Sequence, residues 1–164
     1  MMETKQIYDD FLQYFNVEEI VSPGIYNKYN HFGDYFFLSR FDIRLLATMI
    51  FIRTTLNKAI TINDWLWGGR FDERGLRDTS TPMVQDRAKK NDPWLSGHVV
   101  SMAFDFDVKE MTANEVREWL FKFRDALPYK IRLERKYNGL FISWVHLDVC
   151  DDPRNPKVYS FDIK

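Results

Sequence analysis

The dipeptide Asn138-Gly139 sits between two runs of alternating character, "YKIRLERKY" and "LFISWVHLDV". A type I′ turn needs positive φ at both central residues, which Asn and Gly tolerate best. The pair is therefore the strongest short-range signal for a β-hairpin. A two-residue turn sets Tyr137 opposite Leu140, and a regular ladder then sets Glu134 opposite Ser143. The same ladder puts Glu134 and His146 on opposite faces, because side chains alternate with period two. A bulge or a strand end would remove that conflict.

Upstream of the hairpin the periodicity is helical. "TKQIYDDFLQYF" predicts a helix with Ile7, Phe11, Leu12 and Phe15 on one side. "SPGIYNKYNHFGDYF" reads as irregular because of Pro23, Gly24 and Gly33. A second helix is expected after Ser39 as its N-cap, with Leu45, Leu46, Met49, Ile50 and Leu56 on a broad apolar face. From Ile60 to Pro93 no period is sustained, and Gly, Asp, Arg and Pro dominate. An irregular segment of that length is more often functional than a plain connector. Its Asp78 to Asn91 half also reads as a charged surface loop.

"HVVSMAFDFDV" looks like a loop entering a buried strand. Thr112 and Glu115 form a capping box for a helix that lines up Val116, Trp119, Leu120, Phe123 and Leu127, and Pro128 ends it. "KVYSFDI" supplies a last strand. Helices first and a hairpin late predict an α+β fold, with helices packed on a mostly antiparallel sheet. The 164 residues suit one domain. It would have a helical part over 1–58, an irregular segment over 60–93, and strands and a helix over 94–164.

A formal net charge of -1 leaves no basic field to recruit nucleic acid or an anionic membrane. The single cysteine, Cys150, excludes an internal disulfide framework. The run "LLATMIFI" is flanked by Arg44 and Arg53 and falls short of the ~20 apolar residues of a membrane span. "MMETKQIYDD" lacks the apolar core of a secretory signal. The expectation is a soluble monomer, made in the cytoplasm without a cleavable signal, with no membrane insertion and no nucleic-acid partner.

His98, Asp105 and His146 offer N, O and N donors. Three such ligands plus an open position describe a catalytic zinc site. Seven extended residues span roughly 23–25 Å, whereas ligand atoms sit about 2 Å from a metal. The chain must therefore turn back between His98 and Asp105, and Gly97, Ser101 and Ala103 are small enough to permit it. His146 must approach from the hairpin's second strand. Spacing alone favours the plainer alternative, a hydrogen-bonded core histidine at 98 and a sheet histidine at 146.

"SGHVVSMAFD" resembles the S-x-H-x-x-G-x-A-x-D signature of the zinc D-Ala-D-Ala carboxypeptidases and the related L-alanyl-D-glutamate endopeptidases. These are cell-wall enzymes, many of them phage endolysins. Ser96, His98, Ala103 and Asp105 match. "SWVHLDV" resembles the family's second signature, an aromatic residue, Trp144, two before a histidine. "WLWGGRFDERGLR" resembles a Trp-Gly-Gly…Arg-Gly-Leu-Arg segment of a phage-encoded branch. The segments stand in the family order between Ile60 and Val149, and residues 1–58 carry no motif.

The resemblance implies a hedgehog/DD-peptidase-like fold, zinc as cofactor and a peptidoglycan peptide as substrate. His98, Asp105 and His146 would be the ligands. Zinc lowers the pKa of a bound water toward ~7, which makes hydroxide available to attack an amide carbonyl. Arg77, with Arg74 next, would steady the carbonyl oxygen. Ser96 would bond substrate or pin the ligand loop, and Arg74 and Trp144 would also meet substrate.

Two positions depart from the family pattern. Ser101 stands where the signature has glycine. If that position needs φ > 0, serine costs about 1 kcal/mol or somewhat more. Ser143 stands where the family keeps a catalytic Glu or Asp, three residues before the last histidine. Glu134 and Asp148 are the carboxylates that could replace it, Asp148 more naturally by orienting a ligand. The functional expectation is a zinc peptidase acting on stem peptides. The alternatives are an inactive relative kept as a binding or structural module, and a phage structural protein with an accidental motif.

Overall fold

The structure, a computed structural model, describes residues 3–93, 95–152 and 156–163. These form α1 (Thr4–Leu12), α2 (Pro23–Tyr29), α3 (Asp34–Leu38), α4 (Ile43–Leu56), β1 (Ile60–Thr61), α5 (Pro82–Lys89), β2 (Ala103–Val108), α6 (Ala113–Lys122), β3 (Ile131–Tyr137), β4 (Leu140–Asp148) and β5 (Val158–Ile163). The class is α+β. The strands make one five-stranded mixed sheet in the order β1-β2-β4-β3-β5. Every pairing is antiparallel except β3 with β5. Among the described residues no helix is long and apolar enough to cross a membrane.

The helical part is more regular than its Pro and Gly content predicts. "SPGIYNKYNHFGDYF" is not irregular. Ser22 caps α2 by accepting the Ile25 N–H at 3.3 Å, and Pro23 takes the first helical position, where an N–H is not needed. Gly33, at φ 79°, separates a 3-10 turn from α3. Pro and Gly here mark helix boundaries. The cap of α4 is Asp42, which accepts the Arg44 N–H at 2.9 Å; Ser39 ends α3 instead and donates to the Phe36 carbonyl. The charged Asp78 to Asn91 stretch is not a loop either, because Pro82 starts α5 within it. The Thr112–Glu115 capping box of α6 is as predicted.

Asn138 and Gly139 have φ of 49° and 79°, as a type I′ turn requires, and Tyr137 faces Leu140. The ladder is then interrupted. Lys136 faces Phe141, but Glu134 faces His146 rather than Ser143, so Arg135 alone spans Ile142 to Val145. The hydrophobic pattern demands an interruption. A regular ladder would turn Arg132 and Glu134 into the core and expose Ile131 and Leu133. With the bulge, Leu133 faces Leu147, and both are fully buried.

One face of the sheet thus carries Phe104, Phe106, Leu133, Val145 and Leu147. They join Leu45, Leu46 and Met49 of α4 and Val116 and Leu120 of α6 in a single hydrophobic cluster. The other face carries Asp105, His146 and Glu134 in one row across β2, β4 and β3, and Ala103, Asp148 and Arg132 in the next.

Candidate metal centre

The polar face is buried because two loops fold over it. His98 belongs to the loop that enters β2. The chain turns back between His98 and Asp105: Val99 and Val100 donate to the Ser96 carbonyl, and Met102 donates to the Gly97 carbonyl at 2.7 Å. The turn tolerates little bulk. A Cβ on Gly97 would stand 2.8 Å from the Ala103 Cβ. Ser101 has φ 59°, so the position does require the left-handed region, and serine adopts it.

The second loop holds Gly75. A Cβ there would stand 2.1 Å from the Ile20 carbonyl oxygen, so only glycine fits. That close approach lets Leu76 donate to the Ile20 carbonyl at 2.9 Å and aims the Gly75 carbonyl at His98 Nδ1, 2.9 Å away. With Nδ1 engaged, Nε2 of His98 points into the site.

Three donors converge there. His98 Nε2 lies 3.2 Å from His146 Nδ1 and 3.3 Å from Asp105 Oδ2, and His146 Nδ1 lies 2.7 Å from Asp105 Oδ1. The side chains are nearly closed to solvent, at 2%, 8% and 11% exposure for His98, Asp105 and His146. Such a group could hold a metal ion.

The outer atoms of the ligands are also committed. His146 Nε2 lies 3.4 Å from Asp148 Oδ2. Asp148 in turn accepts from Arg132 Nε at 2.7 Å and from the Cys150 N–H at 3.0 Å. Arg77 Nη2 donates to Asp105 Oδ2 at 2.9 Å, while its Nε donates to the Glu73 carbonyl. Partners of this kind fix ring orientation and ligand basicity.

No protein-family model, curated protein or solved structure matches the chain. The chemistry of the centre is therefore read from its own geometry.

Burial opposes charge on Asp105, but the charges and hydrogen bonds of His98 and His146 outweigh it and hold the carboxyl well below the usual range. Burial also pulls at His146. Hydrogen bonds to Asp105 and Asp148 overcome it and raise the imidazole to about 9. His98 is lowered, mainly by burial. Glu134, 7% exposed, is raised by burial.

A pocket of about 400 Å³ opens over these groups. His98, Asp105 and His146 line it together with Arg77, Ser96, Glu134, Trp144 and Asp148. Arg74 does not line it. Its guanidinium pairs with Asp107 at 2.6 Å and stacks on Phe71. Ser96 pins the loop by accepting the Val99 N–H. Ser143 is exposed at the bulge, away from the buried row.

Sequence reasoning missed Arg132 and the part played by residues 1–58. Arg132 shares a face with Asp148 only because of the bulge. Residues 1–58 act through backbone groups: the Glu19, Ile20 and Val21 carbonyls accept from Asn63, Leu76 and Trp65, and the Asp42 N–H donates to the Ser101 carbonyl. Backbone carbonyls leave no mark in side-chain patterns, so no motif could have signalled them.

Proposed function

We propose that the chain is a zinc-dependent peptidase of the hedgehog/DD-peptidase type that hydrolyses an amide bond in peptidoglycan stem peptides. The observation that carries this reading is the convergence of His98, Asp105 and His146 on one pocket with a fourth residue, the carboxylate Glu134, directly opposite His146. Zinc is favoured by the donor set. Bonds of about 2.0–2.1 Å around a tetrahedral ion place ligand atoms roughly 3.3 Å apart. The separations from His98 Nε2 are 3.2 and 3.3 Å, while His146 Nδ1 and Asp105 Oδ1 are 2.7 Å apart in a hydrogen bond that the metal would replace.

Bound there, zinc would polarise the scissile carbonyl and lower the pKa of a water toward ~7. The protein's own groups do the rest. Glu134 takes a proton from the attacking water and returns it to the amine nitrogen as the amide C–N bond breaks. Its burial, which raises the carboxyl, brings it closer to the pH at which such a shuttle works best. Arg77, beside Asp105 on the pocket wall, offers positive charge to the carbonyl oxygen as it becomes an oxyanion. Asp148, clamped by Arg132, keeps His146 oriented.

A second reading has its own observation. Ser143 occupies the family's acid position and is exposed, which favours an inactive relative that keeps the metal as a binding or structural module.

One experiment separates the two. Purified protein reconstituted with zinc is assayed for metal content and for release of free amines from purified peptidoglycan. The peptidase reading expects about one zinc, as for a single three-ligand site. It also expects amine release that a chelator stops, and loss of metal in His98→Ala and His146→Ala. Zinc without amine release selects the inactive relative. No zinc in the wild type, or zinc retained in both variants, removes both readings.

A further inference from the structure

The bulge that carries Glu134 to His146 creates a backbone problem. One residue, Arg135, faces the stretch from Ile142 to Val145. Carbonyls in that stretch lose their regular partners on β3. Buried carbonyls without donors are costly.

Alternation by itself does not choose this bulge. It requires only an odd offset between the turn and the buried part of the ladder. A one-residue bulge would satisfy it equally, set Glu134 opposite Trp144 and put Arg132 opposite His146. Something else selects the longer offset.

Arg117 of α6 lies on the far side of the sheet from the pocket and is only 4% exposed. Its Nη2 donates to the Trp144 carbonyl at 2.6 Å and the Ile142 carbonyl at 3.3 Å. Its Nε donates to the Glu134 carbonyl at 3.2 Å, and Nη1 donates to Asn114 Oδ1 at 2.9 Å. One guanidinium thus ties β3 at Glu134 to β4 at two carbonyls inside the bulge. Among the described residues it makes no ion pair with a carboxylate; every hydrogen bond it makes there goes to a neutral oxygen. A buried cation with no hydrogen-bonded anion is expensive, and the attraction of the Glu134 carboxylate does not offset its burial. A neutral or apolar residue would fill the place at less cost if only packing were needed. The planar five-donor fork of arginine is what three carbonyls in fixed positions require.

We infer that Arg117 is a positioning residue: from the helix-covered side it holds the β3–β4 bulge at its long offset and so fixes Glu134 opposite His146 on the pocket floor. Its consequence for turnover rests on the peptidase reading above; its control of register does not.

The test reads register first. Inter-strand Overhauser contacts between the backbones of Glu134 and His146 are measured by NMR in the wild type and in Arg117→Met. The contact is expected to vanish in the variant, replaced by one between Glu134 and Trp144, while the Asp105–His146 contact of β2 and β4 persists. An unchanged Glu134–His146 contact in folded Arg117→Met overturns the inference. Should that variant not fold, two measurements remain. Arg117→Lys should show a mixture of the two registers, and a single wild-type register in it overturns the inference. In the wild type the Arg117 Nε–H should resist exchange with solvent, and exchange as fast as in free arginine overturns it too.

If the peptidase reading holds, Arg117→Met, assayed at saturating zinc, lowers kcat by about 10²-fold or more with KM unchanged, because the base is displaced. Zinc affinity falls by about 10–100-fold as well, because the same slip takes Arg132 from Asp148. Arg117→Lys recovers part of the loss. A lost contact in a protein with no peptidase activity sinks the functional reading alone and leaves the positioning role standing.

Discussion

On the helix-covered face of the sheet, Phe104, Phe106, Leu133, Val145 and Leu147 are buried among other apolar side chains. On the opposite face Asp105, His146 and Asp148, from alternate positions of the same strands, are buried nearly as deeply. The first group is stabilised by removal of apolar surface from water, which has no preferred direction. The second is stabilised only through named partners. Asp105 leans on His98, His146 and Arg77, and Asp148 leans on His146, Arg132 and the Cys150 N–H. Burial therefore says little about tolerance. An apolar position fails by degrees as volume is lost, whereas a polar one fails as soon as a partner is left unpaired.

The sharpest contrast is expected at Glu134. On the peptidase reading, Glu134→Gln keeps the shape of the polar face and removes the proposed base, so turnover should fall by roughly 10²–10⁴ with folding and zinc content intact. Undiminished turnover would reduce Glu134 to a strand charge. Across the sheet, Phe104→Ala should cost about 3–5 kcal/mol in urea unfolding, the usual range for deleting a fully buried aromatic. A loss below ~1 kcal/mol would mean that the cluster collapses around the gap.

On the sheet the pH response should belong to the polar face; in the helical part Glu19, raised to about 7 by burial, adds its own loss of stability as pH rises. In metal-free protein the His146 imidazole is raised from 6.5 to about 9. Its contribution to stability is then whole below about 6.5 and is lost as pH rises through 9. Urea unfolding at pH 6 and pH 10 should show the lower stability at pH 10, and Asp148→Asn should shrink the difference by removing one of the groups that raise His146. If zinc binds as proposed, it displaces the proton from Nδ1, so calorimetry at pH 7 in buffers of different ionisation heat should report about one proton released per metal. No release would place the proton, or the metal, elsewhere.

The smallest effect is expected at the turn into β2. Ser101→Gly removes left-handed strain of about 1–2 kcal/mol and adds roughly 0.5–1 kcal/mol of unfolded-state entropy. A net gain of up to ~1 kcal/mol should appear as a slightly higher Tm. A clear loss would show that the serine side chain holds the loop.

The hairpin and the capped helix α6 were legible because their signals are local: Asn138-Gly139 has few other uses, and a T-x-x-E box caps helices by itself. The need for a turn between His98 and Asp105 followed from chain length alone. The register of Glu134 did not follow. The turn counts residues from Gly139 outward, the core counts them from Leu133, and the two counts disagree by an amount that only tertiary packing resolves. The helices at Pro23 and Pro82 were missed because proline was read as a breaker where it is a starter. Arg77 ranked ahead of Arg74, three positions away, on the resemblance alone; the physical distinction is that Asp107 takes Arg74 and Asp105 takes Arg77.

The carbonyl of Ile20 has one more consequence. A piece of the chain starting at Ala59 would hold His98, Asp105, His146, Glu134 and Arg77, and so every residue of the resemblance. It would lack the oxygen against which Leu76 registers, and with it the alignment of the Gly75 carbonyl that steers the imidazole of His98. The signature is therefore not a portable cassette. Grafted onto another scaffold it would bring its donors and lose their aim, unless the host offered a hydrogen-bond acceptor at the same place. A designer copying this centre would have to copy a carbonyl from a segment in which no signature residue stands.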